Sequence, residues 1–444
     1  MTSSHRLPVE LFDLILNELN PQISTELDNN EPLSNPALGS CLFVSKFIRH
    51  LALSKIFNHT KFLHKPQEPK KGQQRLALLR QILTPPAGSV LESVRPHIKA
   101  LSCIFQRPAW NADAKQFMGD VDENLAFVIK TMSEGDCCVT HFAFKMSAPI
   151  RWSLLNPDLQ DALQRLIRSP NLVSLDIRGI KYLPTDLMVG AHLSDLRLQQ
   201  FPDYQEGPEK WTALTSDPQY SRLDCPPLES LHTDHSYQYL DSKLANLKKL
   251  VVHNDVAEDF ANTQDIIQAS ADTLEHVSIE HSGIGQANLP ATFRIDHVSN
   301  LKTFSHLRFR DFYWNYPFTS LPAQPILEVF SRLLDARSPM SFLVRIKLEF
   351  YFHEIIAKED FLHPSTDFAE WDRFDALLCG PRYPSLEKVS IVIHAHLWLR
   401  ASEASAFDVD TFSSSTTGRI RACLPKLDMD KDLAVKITAE VHAE

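Results

Sequence analysis

In Leu172-Val173-Ser174-Leu175-Asp176-Ile177-Arg178 the pattern Leu-x-x-Leu-x-Ile ends in strict alternation. As a strand, that order turns Leu175 and Ile177 to one face and Ser174, Asp176 and Arg178 to the other. Related patterns return at 97–103, 139–145, 193–199, 228–232, 247–253, 274–280, 304–310, 342–348 and 386–392. From Leu172 the next starts fall at Leu193, Leu228, Leu247 and Leu274. Those steps, roughly 19 to 35 residues, suit one small structural unit each. One such strand cannot bury its apolar edge alone, whereas stacked units fill a continuous core.

Helix-like pieces lie between the strands at 155–169, 263–272 and 322–337, with Pro, Asp or Asn at their ends. Strands alternating with helices predict a parallel strand and an outer helix per unit. The pattern resembles the irregular leucine-rich-repeat proteins, including fungal F-box proteins that carry such arrays. The Asn or Cys expected after the strand is mostly absent, His253-Asn254 and His235 coming nearest. An ordinary α/β domain with a mixed sheet is the alternative. The open face of the array would display Asp176, Arg178, Arg197, Gln199, Lys249, His253, Glu280, Arg308 and Arg310, which we take as candidate target-binding residues. Mixed charges there suit selection of a protein partner, although exposed strand positions are polar with or without one.

The N-terminus carries a second signal. In Leu7-Pro8-Val9-Glu10-Leu11 and onward, Leu7, Leu11, Ile15 and Leu19 recur at helical spacing, with Pro8 in the first turn. Residues 21–40 read as a loop, and helical spacing returns over 41–63, where Leu42, Phe43, Phe47, Leu51 and Phe57 are expected to share a buried side. Leu7-Pro8-Val9-Glu10-Leu11 and Phe43-Val44-Ser45-Lys46-Phe47 resemble the F-box, whose helices dock on a Skp1-type adaptor of a cullin ubiquitin ligase. That resemblance implies Leu7, Pro8, Leu11, Ile15, Val44 and Leu51 as the docking and packing set. The connection at 21–40 is longer than the common form, and Phe47-Ile48-Arg49 stands where a Trp-Arg pair is usual. The expected fold is therefore α/β: an F-box-like helical unit at 1–65, a linker and connecting helix at 66–95, and an irregular leucine-rich-repeat solenoid at 96–444 with parallel strands, outer helices and a C-terminal cap.

Composition narrows the functional classes. The chain has 444 residues, 45 Lys+Arg against 55 Asp+Glu, and a net charge of -10, which offers no footprint for nucleic acid. Glycine is scarce at 12, so phosphate-cradling loops are poorly supplied. Seven scattered cysteines do not form a secreted disulfide framework, no signal peptide is evident, and no apolar run reaches a membrane-spanning length. An intracellular protein of cytoplasm or nucleus is expected. Residues 202–227 and 401–419 are polar and aperiodic, and read as loops.

Catalytic and metal motifs are incomplete. His353-Glu354 has Ala357 where a zinc-protease helix needs its second His, and Cys137-Cys138 lacks a second pair. Ser282-Gly283-Ile284-Gly285 lacks the third glycine of a dinucleotide fingerprint. His394 and His396 fall on one side of a strand with no Asp or Cys close in sequence. No cofactor or metal is expected. The reading is a non-catalytic target-recognition subunit of a ubiquitin ligase, with a Skp1-type adaptor and an unknown target protein as partners, and neither nucleic acid nor membrane. A scaffold not linked to a ligase is the alternative, and a hydrolase or transferase assembled from distant residues is a third.

Overall fold

The computed structural model describes residues 36–65, 68–86, 93–106, 122–135, 138–184, 186–199, 222–223, 227–234, 238–239, 244–254, 257–282, 293–310, 334–335, 339–355, 368–398, 408–429 and 433–443. The chain forms two compact units, one of residues 1–193 and 197–221, the other of residues 194–196 and 222–444.

One repeat of the first unit illustrates how local sequence gives the fold. Helix α5 (Pro157–Ile167) begins at Asn156, whose side chain accepts from the Asp158 amide at 2.9 Å, with Pro157 in the first turn. Leu159, Ala162, Leu163, Leu166 and Ile167 are all buried, a stripe at helical spacing. Each fully buried leucine contributes about 1.5–3 kcal/mol. On the exposed side Arg165 pairs with Asp161 one turn back at 2.9 Å. The chain then turns through buried Leu172 into strand β4 (Ser174–Lys181).

The first unit contains β1 (His59–His64), β2 (Ala100–Phe105), β3 (His141–Arg151), β4 and most of β5 (Asp195–Gln199), in sequence order. The described pairings are parallel. On one face the register aligns Thr60, Leu101, Phe142 and Leu175 in one row and Phe62, Cys103, Phe144 and Ile177 in the next. Ring centroids of Phe62 and Phe105 lie 5.7 Å apart, and those of Phe105 and Phe144 5.4 Å, in tilted packing. Helices α3 (Pro69–Leu83), α4 (Asp122–Ser133) and α5 supply the rest of this core through Leu76, Leu79, Leu125, Ile129, Leu163 and Leu166. Residues 146–149 of β3 bulge opposite the lone Gly179 of β4. Gly179 has φ of 73°, and a Cβ there would lie 2.3 Å from the Met146 carbonyl oxygen, so only glycine fits.

The second unit holds β7 (Ser230–Asp234), β9 (Lys249–Asn254), β10 (His276–Ser282), β11 (Thr303–Arg310), β12 (Arg345–Ile355), β13 (Lys388–Trp398) and β14 (Ala434–Ala443), again neighbours in chain order and parallel. A separate two-stranded ladder joins β6 (Arg222–Leu223) to β8 (Gln238–Tyr239). Leu231, Leu250, Val277, Phe304, Ile346, Val389 and Val435 align across the sheet as one apolar row. Helices α6 (Ala257–Ala269), α7 (Phe368–Leu378), α8 (Val409–Ala422) and α9 (Pro425–Met429) belong to this unit. Asn254, buried at the end of β9, accepts from the Thr263 hydroxyl of α6 at 2.9 Å, so the residue nearest the expected asparagine does tie a strand to its helix.

A recurring corner marks each repeat. The carbonyl just before a strand accepts from two successive amides of the next repeat: Asn58 from Lys99 and Ala100, Lys99 from Thr140 and His141, Thr140 from Val173 and Ser174. In the second unit Glu229 does the same for Lys248 and Lys249, Lys248 for Glu275 and His276, Glu275 for Lys302 and Thr303, and Lys302 for Val344 and Arg345. This device satisfies two donors at each of these strand starts and fixes the register, so these repeats turn their apolar sets to the same face. The fold is α/β with a parallel sheet and associated helices, and its described pairings do not follow the mixed-sheet alternative.

Three expectations need correction. Residues 59–64 were expected in the helical unit but form β1, paired with β2 along its whole length, so the sheet begins well before residue 96. Helix α1 (Pro36–Cys41) ends in a turn, and α2 (Lys46–Phe57) starts only at Ser45, whose hydroxyl accepts from the Ile48 amide at 3.2 Å. That break takes Phe43 out of the helix and leaves it 85% exposed, so the expected common buried side does not form; Ala52 and Leu53 are buried instead. Residues 409–419, within the loop expected at 401–419, instead lie in α8 (Val409–Ala422): Asp408 accepts from the Asp410 and Thr411 amides, and Thr416 and Ile420 are buried one turn apart.

Candidate protein-binding face

The face of the sheet opposite the apolar rows carries the polar members of each strand. In the first unit, alternation brings His59 and Lys61 of β1, Ser102 of β2, His141 and Lys145 of β3, Asp176 and Arg178 of β4, and Arg197 and Gln199 of β5 to this side. The register sets Lys61 opposite Ser102, Ser102 opposite Ala143, and Ala143 opposite Asp176.

Asp176 is the centre of the charge arrangement. Arg178 donates from Nε to Oδ1 at 2.9 Å and from Nη2 to Oδ2 at 3.1 Å, a bidentate pair. Lys145 Nζ lies 2.9 Å from the same carboxylate and Arg197 Nη1 3.9 Å from it. The Asp176 side chain is 15% exposed and that of Lys145 11%, whereas Arg197 is 37% exposed. Burial alone would raise the Asp176 carboxyl, but hydrogen bonds and attraction from Arg178 and Lys145 outweigh it and hold the pKa below the ordinary value. Burial lowers the Lys145 pKa, and the charges of Arg178 and Arg197 add to that against the pull of Asp176. Burial also lowers the pKa of His59, helped by Lys61, His141 and Lys145, while its Nε2 lies 3.0 Å from the Ser102 hydroxyl.

In the second unit charges meet in smaller groups. His253 and Glu280 lie 3.5 Å apart on β9 and β10, and Glu349 of β12 is paired with Lys347 and lies 3.9 Å from His394 Nε2. His394, read as lacking a supporting Asp or Cys, thus has a glutamate carboxylate from the neighbouring strand beside it, which spacing along the chain does not reveal. At the strand starts Glu229 pairs with Lys248 at 3.2 Å and Glu275 with Lys302 at 2.7 Å.

Of the candidate target-binding residues, the structure joins Asp176, Arg178 and Arg197 in one cluster and His253 with Glu280 in a second. Gln199 stands two residues beyond Arg197 on β5, and Lys249 is exposed at the start of β9. Arg308 and Arg310 pair through their backbones with Glu349 and Tyr351, their side chains being outside the described set. The sequence reading missed Lys145, Lys61 and His59; the alternation after Phe142 and Phe144 already marks Lys145 as outward, but only the register brings it to Asp176.

Of the candidate adaptor residues, Leu7, Pro8, Leu11 and Ile15 lie outside the described residues. Val44, in the turn before α2, is 65% exposed, and Leu51 is half-buried on α2. Among the described residues no three His, Cys, Asp or Glu side chains are placed to hold a metal ion, and no helix is long and apolar enough to cross a membrane. His353-Glu354 lies on β12 rather than on a helix. No known family's sequence profile matches the chain, and no curated protein is significantly similar to it.

Proposed function

We propose that the chain is a non-catalytic target-recognition subunit of a Skp1-cullin-F-box type ubiquitin ligase, with its N-terminal helices on the adaptor and the polar face of an irregular leucine-rich-repeat array on a target protein. The observation that carries the adaptor half is the apolar group at the start of α2, where Phe43 and Val44 of the preceding turn and Phe47 of the first helical turn stand exposed. Contiguous exposed apolar groups mark docking surfaces more often than chance exposure does. The target half is supported by a sheet with one face filled by apolar rows and the other carrying organised charge. Catalysis by such a subunit is proximity: it holds the target beside a transferring enzyme and needs no nucleophile of its own.

The test is co-purification of the full-length protein with a Skp1-type adaptor, compared with Leu11→Asp and Val44→Asp. The wild-type chain is expected to retain the adaptor and both variants to lose it while keeping their circular dichroism. A folded wild-type chain that retains no adaptor contradicts the ligase reading and leaves a protein-binding scaffold.

A further inference from the structure

The surplus of cations around Asp176 identifies a class of target. Lys145, Arg178 and Arg197 lie within 4 Å of the carboxylate of Asp176, and Lys61 stands on β1 of the same face, opposite Ser102. This positive surface sits on a chain whose net charge is -10, so bulk electrostatics do not produce it.

The donors divide by role. Asp176 occupies the Arg178 fork and the Lys145 ammonium, which makes it a positioning residue for both. Arg197, more than twice as exposed as Asp176 and at a looser 3.9 Å, keeps donors directed to solvent, and Lys61 is half-buried at the other end of the row. Between the ends stand the short side chains of Ser102 and Ala143. Four strand spacings separate β1 from β5, roughly 19 Å, the reach of about six extended residues.

We infer that this face of the first unit binds an extended, carboxylate-rich segment of a target polypeptide, running across the strands from Lys61 to Arg197. The inference deepens the proposed target-recognition role and rests on it only for the meaning of the ligand, since the cluster is independent of the adaptor helices. Acidic peptide fits better than a compact polyanion because Lys145 and Arg178 are already engaged with Asp176 and the remaining cations, Lys61 and Arg197, stand at the two ends of the row.

The experiment is fluorescence anisotropy of the full-length protein with a labelled octaglutamate peptide, with octalysine and a single-phosphoserine peptide lacking other acidic residues as comparisons. Octaglutamate is expected to bind and to weaken as salt rises from low to physiological strength. Arg197→Glu and Lys61→Glu should each weaken it by about tenfold or more, a loss of about 1.4 kcal/mol. Lys130→Glu on α4 and Lys388→Glu at the start of β13 should change it less than about twofold. These variants lie on separate elements, so misfolding of one leaves the other decisive, and the salt series needs no variant. Equal loss in the Lys130 or Lys388 variants, equal binding of octalysine, or binding of the phosphopeptide without octaglutamate overturns the inference. Octaglutamate binding by a chain that retains no adaptor supports the face and contradicts only the ligase reading.

Discussion

The two units use the same strand corners but spend their charges differently. In the first, one mostly buried carboxylate, Asp176, gathers Lys145, Arg178 and Arg197. In the second, Glu229 meets Lys248 and Glu275 meets Lys302 on exposed strand starts, and Glu349 meets Lys347 and His394. Exposed pairs such as Glu229 with Lys248 add little stability and leave little charge for a partner, and buried Glu349 gathers one lysine and one histidine rather than three cations. A shared, mostly buried carboxylate fixes several cations at once and leaves a positive remainder. Identical backbone architecture therefore does not imply an identical surface, and recognition is expected where charge is concentrated.

The largest way to break this contrast is at Gly179. Gly179→Ala puts a Cβ against the Met146 carbonyl in a left-handed backbone conformation, and urea denaturation should show a loss of about 3 kcal/mol or more. Asp176→Asn acts on the charge cluster itself: the neutral amide leaves Lys145 and Arg178 without their anion, and a loss of roughly 2–3 kcal/mol is expected. In the second unit Asp375 accepts the Lys426 and Leu427 amides at 2.9 Å, capping α9 from α7, so Asp375→Ala should cost about 1–2 kcal/mol by the same measurement.

A pH series sharpens the comparison further. The pKa of His59 is lowered in the folded state by burial and by Lys61, His141 and Lys145. The unfolded chain, with an ordinary value of about 6.5, then binds the proton more readily. The contribution of His59 is accordingly to lower stability as pH falls from neutral through that value toward the folded one. His59→Gln should flatten part of the fall in urea midpoint between about pH 7 and 5.5; an unchanged slope contradicts a folded-state pKa below the unfolded one. The smallest effect belongs to the exposed ladder: Lys302→Ala should change stability by only about 0.2–1 kcal/mol, shrinking with salt.

Much of the sheet was legible because alternation around Leu175, Leu196, Leu250 and Val277 is a local property, and α5 announces itself with Asn156, Pro157 and an apolar stripe. Strand β1 was hidden because a genuine helix, α2, runs up to Phe57 and its apolar spacing continues by accident through Phe62. Helix α8 was hidden by Phe412-Ser-Ser-Ser-Thr-Thr-Gly418, poor helix formers held by tertiary packing through Thr416 and Ile420. At the candidate site, Asp176, Arg178 and Arg197 could be named from alternation. Their assembly with Lys145 could not, since it depends on which residue of β3 stands beside which residue of β4, and the bulge at 146–149 is invisible to a period-two reading.

The most direct test crosses two variants of the full-length chain with two binding assays, adaptor co-purification and octaglutamate anisotropy. Division of labour between the N-terminal helices and the charged sheet predicts that Leu11→Asp loses the adaptor and keeps the peptide, while Arg197→Glu loses the peptide and keeps the adaptor. A folded variant that loses both, or an Arg197→Glu chain that binds octaglutamate as the wild type does, contradicts it.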